Sequence, residues 1–248
     1  MKTLLKSTLL AVVFSALSVL SAWAGFSDFK NLVTNDDLKP FARDIGGMLG
    51  ANPAHSGRSL GFPGFDVGIK AGGMLKVDKD DNLLKAADLK KFGMPWIQAE
   101  LGLPFKLDGF IRGFSYGGLT MVGGGLRYGL LNVTDLPLTP QLTATVMANT
   151  LSYSQFSATH IGGDLTVSVK ALIVEPYLGV GVDRTKVEVK SVGLGNVSGV
   201  KDGDTAVGTA PRITLGLNLK PLPLVYIHAG YTLIKSASGF ETGVGIRF

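Results

Sequence analysis

Beyond residue 60 the chain alternates apolar and polar side chains with a period of two. Within 212–220, Ile213, Leu215, Leu217 and Leu219 point one way, while Arg212, Thr214, Gly216, Asn218 and Lys220 point the other. Residues 164–173 set Leu165, Val167, Val169, Ala171 and Ile173 against Asp164, Thr166, Ser168 and Lys170. The same pattern recurs in 177–185, in 65–72 with Val67 and Ile69 opposite Asp66 and Lys70, and in 97–103 with Ile97 and Leu101 opposite Gln98 and Glu100. A period of two predicts strands with one apolar face, and the pattern places about ten: 64–75, 95–103, 108–116, 119–131, 141–154, 161–173, 176–189, 209–220, 224–235 and 239–248. Only 108–116 leaves its faces undecided, because Phe110, Phe114 and Tyr116 share a side with Arg112.

Alternation alone fits a soluble sandwich as well as a membrane barrel. After residue 24 no run is long and apolar enough for a spanning helix, yet the composition is more apolar than a soluble chain of this size usually shows. A closed barrel reconciles the two, since lipid-facing residues occupy every second position of each strand. The expected fold is therefore all-β, an antiparallel transmembrane β-barrel of about ten strands preceded by a short helical segment.

Both termini bear on location. Residues 1–24 carry Lys2 and Lys6, an apolar stretch and Ala22-Trp23-Ala24, the pattern of a cleaved signal peptide, with no cysteine for a lipid anchor. At the other end Phe240, Thr242, Val244, Ile246 and Phe248 alternate with Gly239, Glu241, Gly243, Gly245 and Arg247. This resembles the final strand of Gram-negative outer-membrane barrels. The resemblance implies export to the outer membrane, contact with its lipid and lipopolysaccharide, and an assembly signal at Phe240, Val244, Ile246 and Phe248 read by the barrel-assembly machinery.

A periplasmic C-terminus makes the connections near Pro104, Pro137 to Pro140, Pro176 and Pro221 to Pro223 periplasmic as well. The long connections 76–93 and 190–208 then face outward. A narrow barrel is largely filled by its own side chains. The polar set expected to face the lumen is Asp66, Lys70, Glu100, Arg127, Asp164, Lys170, Arg212, Glu241 and Arg247. It reads either as a mutually neutralising ion network that packs the interior or as the lining of a small pore with some anion preference.

Residues 25–62 precede the barrel, which takes 63–248. Asp36 or Asp37 can cap a helix running to about Leu49, with Ile45, Met48 and Leu49 on one side and Gly50 as the stop. Asn52-Pro53-Ala54 follows, which resembles the N-terminal hatch of FadL-type transporters of hydrophobic compounds and implies a plug. A periplasmic helix packed over the opening is the simpler alternative.

Composition removes several classes. Without the signal lysines the formal charge of +5 falls to +3, too mild for a nucleic-acid partner, and the absence of cysteine excludes thiolate metal sites and disulfides. Glycine, 34 of 248 residues, is about twice its average usage. In strands it permits close packing, which is the reading of Gly123-Gly124-Gly125.

Candidate chemistry is sparse. His160 with Ser157 and Asp164 could approach a Ser/His/acid arrangement only if the turn near it folded back, and a solvated turn is the plainer reading. His228 is expected to face the lumen beside Tyr226, and His55 has no evident partner. Residues 78–82 have calcium-loop spacing without the required glycine and glutamate, so they read as a solvated loop. Asn82 could cap a helix over 83–92 whose Lys85, Lys90 and Lys91 meet lipopolysaccharide phosphates. No catalytic residue, metal or cofactor is assigned. Three classes remain: a narrow channel for small or hydrophobic solutes with an N-terminal plug, a non-conducting barrel that presents its loops, and a rim enzyme acting on lipid.

Overall fold

The computed structural model describes residue 26 and residues 29–131, 136–193 and 199–248. The signal-peptide reading of 1–24 and part of the 190–208 connection therefore lie outside the described residues. In chain order the elements are α1 (Phe29–Leu32), α2 (Leu38–Leu49), β1 (Phe65–Lys76), α3 (Asn82–Ala86), β2 (Phe92–Gly102), β3 (Leu107–Tyr116), β4 (Leu119–Gly129), β5 (Pro140–Ser152), β6 (Phe156–Val169), β7 (Val174–Val189), β8 (Thr205–Leu219), β9 (Val225–Ile234) and β10 (Ala237–Arg247).

The ten strands form one closed antiparallel barrel in which each pairs with its sequence neighbours and β1 pairs with β10. Closure leaves no unpaired edge, the condition a strand protein must meet in lipid. The seam registers Asp66 opposite Arg247 and Ile69 opposite Val244. At its end Phe248 donates its backbone N–H to the Phe65 carbonyl at 2.8 Å, and the two rings stack at 4.5 Å.

The alternating faces fall as their chemistry requires. Val67, Ile69, Ile97, Leu101, Leu165, Leu215 and Leu217 are exposed on the outer wall, and their neighbours Asp66, Lys70, Gln98, Glu100, Asp164, Thr214 and Gly216 turn inward. β3 is resolved the same way. Phe110 and Arg112 face the interior and Ile111 is 71% exposed outside, because Arg112 finds its hydrogen-bond partners only within the barrel.

Strands β2 and β8 start earlier than expected, at Phe92 and Thr205, and the largest shift is in β6. The strand expected over 161–173 ends at Val169 and begins at Phe156. Ala171 and Val174 exchange backbone hydrogen bonds across Leu172 and Ile173, and Leu172 takes φ 57, so a two-residue turn occupies what the pattern assigned to strand.

The long connection after β1 is folded. Its helix α3 is capped by Asp81, whose side chain accepts from Leu84 N at 2.9 Å, so neither Asn82 as cap nor a helix reaching residue 92 is found. Phe92 already belongs to β2. Asp78 and Asp81 are buried, which corrects the solvated-loop reading of 78–82, while Lys85, Lys90 and Lys91 are exposed.

Candidate functional site

From Asp37 to Ser59 the N-terminal segment lies inside the barrel, buried except at Lys39 and Arg58. Phe26, Phe29 and Phe41 pack with Phe92, Tyr153 and Phe156 at the end that carries the long connections, with ring centroids 4.9–6.4 Å apart. Leu83, Leu84, Leu89, Val187, Val189 and Val200 belong to the same apolar cluster, which closes that end of the lumen. α2 descends next against β7, β8 and β1. Asn52 to Ser59 then cross the polar middle, and Leu60 to Gly64 reach the rim where β1 begins and β10 ends. The helix is thus within the lumen at the end opposite the C-terminus, not over the C-terminal opening.

This placement explains why α2 is buried on nearly every side, its polar Arg43 and Asp44 included. It also revises the role of Gly50, whose φ of −78 needs no glycine. What the position requires is space, because a Cβ there would stand 2.6 Å from Asp183 Oδ1. Asp37 is the N-cap residue but makes no side-chain capping bond.

The wall holds the segment by hydrogen bonds to its backbone. Arg112 donates through Nη1 to the Ala51 carbonyl at 2.7 Å and through Nη2 to the Leu49 carbonyl, while Asn149 donates to the same Leu49 carbonyl at 3.3 Å. A cation at the C-terminus of α2 meets carbonyls that have no partner within the helix and the negative end of its dipole. Arg112 is steadied by Asn149 Oδ1 at 2.8 Å and by the Trp96 ring at 5.2 Å. Gly123 permits this arrangement, since a Cβ there would stand 2.0 Å from Asn149 Oδ1.

Further along, Asn52 donates its backbone N–H to Glu241 at 2.9 Å and its amide to the Ala71 carbonyl at 2.8 Å. Ser56 Oγ donates to Glu175, and Ser168 Oγ accepts from Gly57 N at 2.8 Å. Asp108 accepts the backbone N–H of Leu60 through both oxygens, at 3.0 and 2.9 Å. His55, which had no partner in the sequence pattern, stacks on Tyr226 at 4.2 Å and on His228 at 4.9 Å.

Around the segment the charged residues form two groups. Near the C-terminal end Glu100 takes Arg127 at 2.7 Å and Lys70 at 3.2 Å, Arg127 also reaches Asp108 at 3.1 Å, and the Tyr226 hydroxyl donates to Asp66 at 2.7 Å. Nearer α2, Arg212 meets Asp183 at 2.8 Å and Asp164 at 3.8 Å, and the Tyr177 hydroxyl donates to Glu241 at 2.7 Å. Of the residues expected at the lumen, Asp66, Lys70, Glu100, Arg127, Asp164, Arg212 and Glu241 are buried in the interior, and Arg247 is half-buried at the C-terminal rim. Lys170 lies one residue beyond the end of β6, half-buried at the C-terminal rim.

The residues that the polar alternation did not flag include Arg112, Asn149 and His160, together with inward-facing Met74, Met94, Trp96, Met121 and Leu151. Their alternation was visible, but an apolar inward face at the loop end has meaning only once an apolar segment occupies the lumen. His160 is placed differently from the turn foreseen for it: it sits within β6, its Nε2 3.1 Å from Asp183 Oδ1 and its Nδ1 2.8 Å from Asn149 Nδ2. Ser157 lies on the opposite face and Asp164 turns to Arg212, so the three do not assemble.

At the loop end, outside the strands, Asp44 accepts the backbone N–H of Asp78 at 3.0 and 2.9 Å, while Arg43 Nε binds Asp78 at 2.7 Å. Burial and the neighbouring Asp81 push the Asp44 carboxyl up to about 9, and burial raises Asp81 to about 6. Burial would also raise Asp78, but its hydrogen bonds from Arg43, Asp80 and Ser236 hold it below the usual range. Among the described residues no His, Cys, Asp and Glu cluster suits a metal ion.

No family model and no curated protein matches the chain. Among solved structures, the N-terminal β-barrel domain of Pseudomonas aeruginosa OprF covers 75% of this chain and 97% of its own at 10% identity and TM-score 0.39. Neisserial surface protein A covers 74% and 93% at 14% identity and TM-score 0.30. Ail, the attachment invasion locus protein of Yersinia pestis, crystallised with a heparin analogue, covers 75% and 97% at 14% identity and TM-score 0.32. The FadL-type resemblance of residues 52–54 finds no support in these comparisons. A closed barrel with an aliphatic outer wall and a polar, charged interior is what an outer-membrane β-barrel presents to lipid. The chain is a closed β-barrel of the transmembrane kind.

Proposed function

We propose that this protein is a barrel sealed by its own N-terminal segment, a narrow passage that opens only when the segment leaves the lumen. The observation that carries the reading is the continuous path of residues 38–64 from one end of the interior to the other, bonded to the wall at Ala51, Asn52, Gly57 and Leu60. Displacing the segment would leave Arg112, Glu241 and Asp108 facing an emptied polar lumen of the kind that water and small solutes enter. With the C-terminus periplasmic, the segment starts at the outer face, where the apolar cluster and the long connections form the cover.

Single-channel recording in planar bilayers tests this on the mature protein and on a variant lacking residues 26–60. Silence from the full chain and discrete steps from the truncated one are expected. Open steps from the full chain would overturn the seal. Silence from both, with heat-modifiable migration showing folded barrels, would favour a non-conducting barrel that presents its loops.

A further inference from the structure

At the C-terminal rim a cleft of about 260 Å³ opens between the end of the N-terminal segment and the strand ends. Its polar wall is cationic: Arg58, Lys170, Lys220 and Arg247 line it, with no acidic side chain lining it among the described residues. Leu60, Pro223, Leu224, Val225 and Phe248 form the rest, together with Tyr226. We propose that this cleft is a binding site for a phosphate group, most naturally that of a phospholipid whose chains lie along the adjoining outer wall.

Several features make the cleft a built site. Arg247 is held in place by donating Nη2 to the Arg58 carbonyl at 2.7 Å, and its buried Nη1 has no hydrogen-bond partner among the described residues. A guanidinium fixed at one nitrogen and open at another suits an oxyanion, and ammonium groups beside it add charge without demanding one geometry. Lys220 is oriented by Glu175 at 2.7 Å, a carboxylate that also takes Ser56 and Ser168 and so is already shared among three donors. Lys170 enters from the turn after β6.

The apolar part favours lipid over a small ion. Phe248 and Leu224 are exposed, and Phe248 stacks on Phe65 where the outer wall begins. Aromatic side chains at the edge of the apolar band are where a barrel meets headgroups. A phosphate in the cleft would therefore have acyl chains directly beside it on the aliphatic wall.

The test is native mass spectrometry of the full mature chain released from detergent, after incubation with phosphatidylglycerol, with diacylglycerol of the same chains, or with inorganic phosphate. Retention of phosphatidylglycerol at least tenfold above diacylglycerol is expected, falling at least tenfold in Lys170→Glu. Heat-modifiable migration checks that this rim variant folds, and Arg247→Lys, which keeps the charge but loses the fork, should give an intermediate loss. Strong competition by inorganic phosphate would mean that the cleft takes the free anion, and weak competition that it reads the lipid. The proposal is overturned if neither phosphate source binds, if diacylglycerol binds equally, or if Lys170→Glu retains lipid as the wild type does.

Discussion

Arg112 of β3 donates a 2.7 Å hydrogen bond to the carbonyl of Ala51, two residues past the end of α2, and thereby ties the barrel wall to the segment that fills it. Its other donors serve Leu49 and Asn149, and Asn149 donates to the same Leu49 carbonyl, so two wall side chains cap the end of the helix together.

Replacing Arg112 by leucine should loosen that tie. Two carbonyls and Asn149 would lose a charged donor, and such bonds contribute roughly 1.5 to 3 kcal/mol each in favourable cases. A loss of about 3 kcal/mol is expected, allowing for partial relaxation. Urea unfolding of the refolded protein, followed by tryptophan fluorescence, measures it. Unchanged stability would mean that the segment is held elsewhere.

The two faces of β8 should respond oppositely. Leu215 is 65% exposed on the outer wall, and arginine there costs about 2 to 4 kcal/mol near the bilayer midplane. Thr214, its buried neighbour, bonds Thr232 at 3.2 Å, so valine there should cost only about 1 kcal/mol. Folded yield after insertion into vesicles should fall sharply for Leu215→Arg and little for Thr214→Val. Equal yields would invert the assignment of faces.

The link between α2 and the loop after β1 should weaken with alkalinity. Asp44 is pushed up to about 9 and Asp81 to about 6, above the usual carboxylate value, so the folded protein holds protons that the unfolded chain has released. Their contribution is fully present below about pH 4 and is lost as pH rises toward 9. The urea midpoint should fall between pH 5 and pH 9, and Asp44→Asn, which can still accept from Asp78, should flatten the slope despite Asp37, Asp78 and Arg43 nearby. An equal slope in the variant would remove Asp44 as the cause.

Deleting Phe248 should slow assembly. The residue closes the seam through its bond to Phe65 and its stacked ring, and the last strand's alternation resembles the signal read during insertion. The heat-modifiable fraction in vivo should drop, whereas Phe248→Tyr should retain most of it. Wild-type assembly of the deletion would set the terminal residue aside.

Much of the barrel was legible in the chain because a strand's two faces meet two solvents. Lipid demands Leu215 and Ile97, the interior demands Arg212 and Glu100, and a period of two writes that difference directly into the order of residues. What occupies the interior was decided only by tertiary structure. Arg112, Asn149, Asp183 and the inward methionines acquire their roles from α2 and Asn52, which reach them from far away in sequence. His55 shows the same dependence, since its partners Tyr226 and His228 lie on β9. Local patterning reports which side of a strand faces water or lipid. It carries no record of which distant segment replaces the water inside, because that choice depends on shape and hydrogen bonding across the closed barrel.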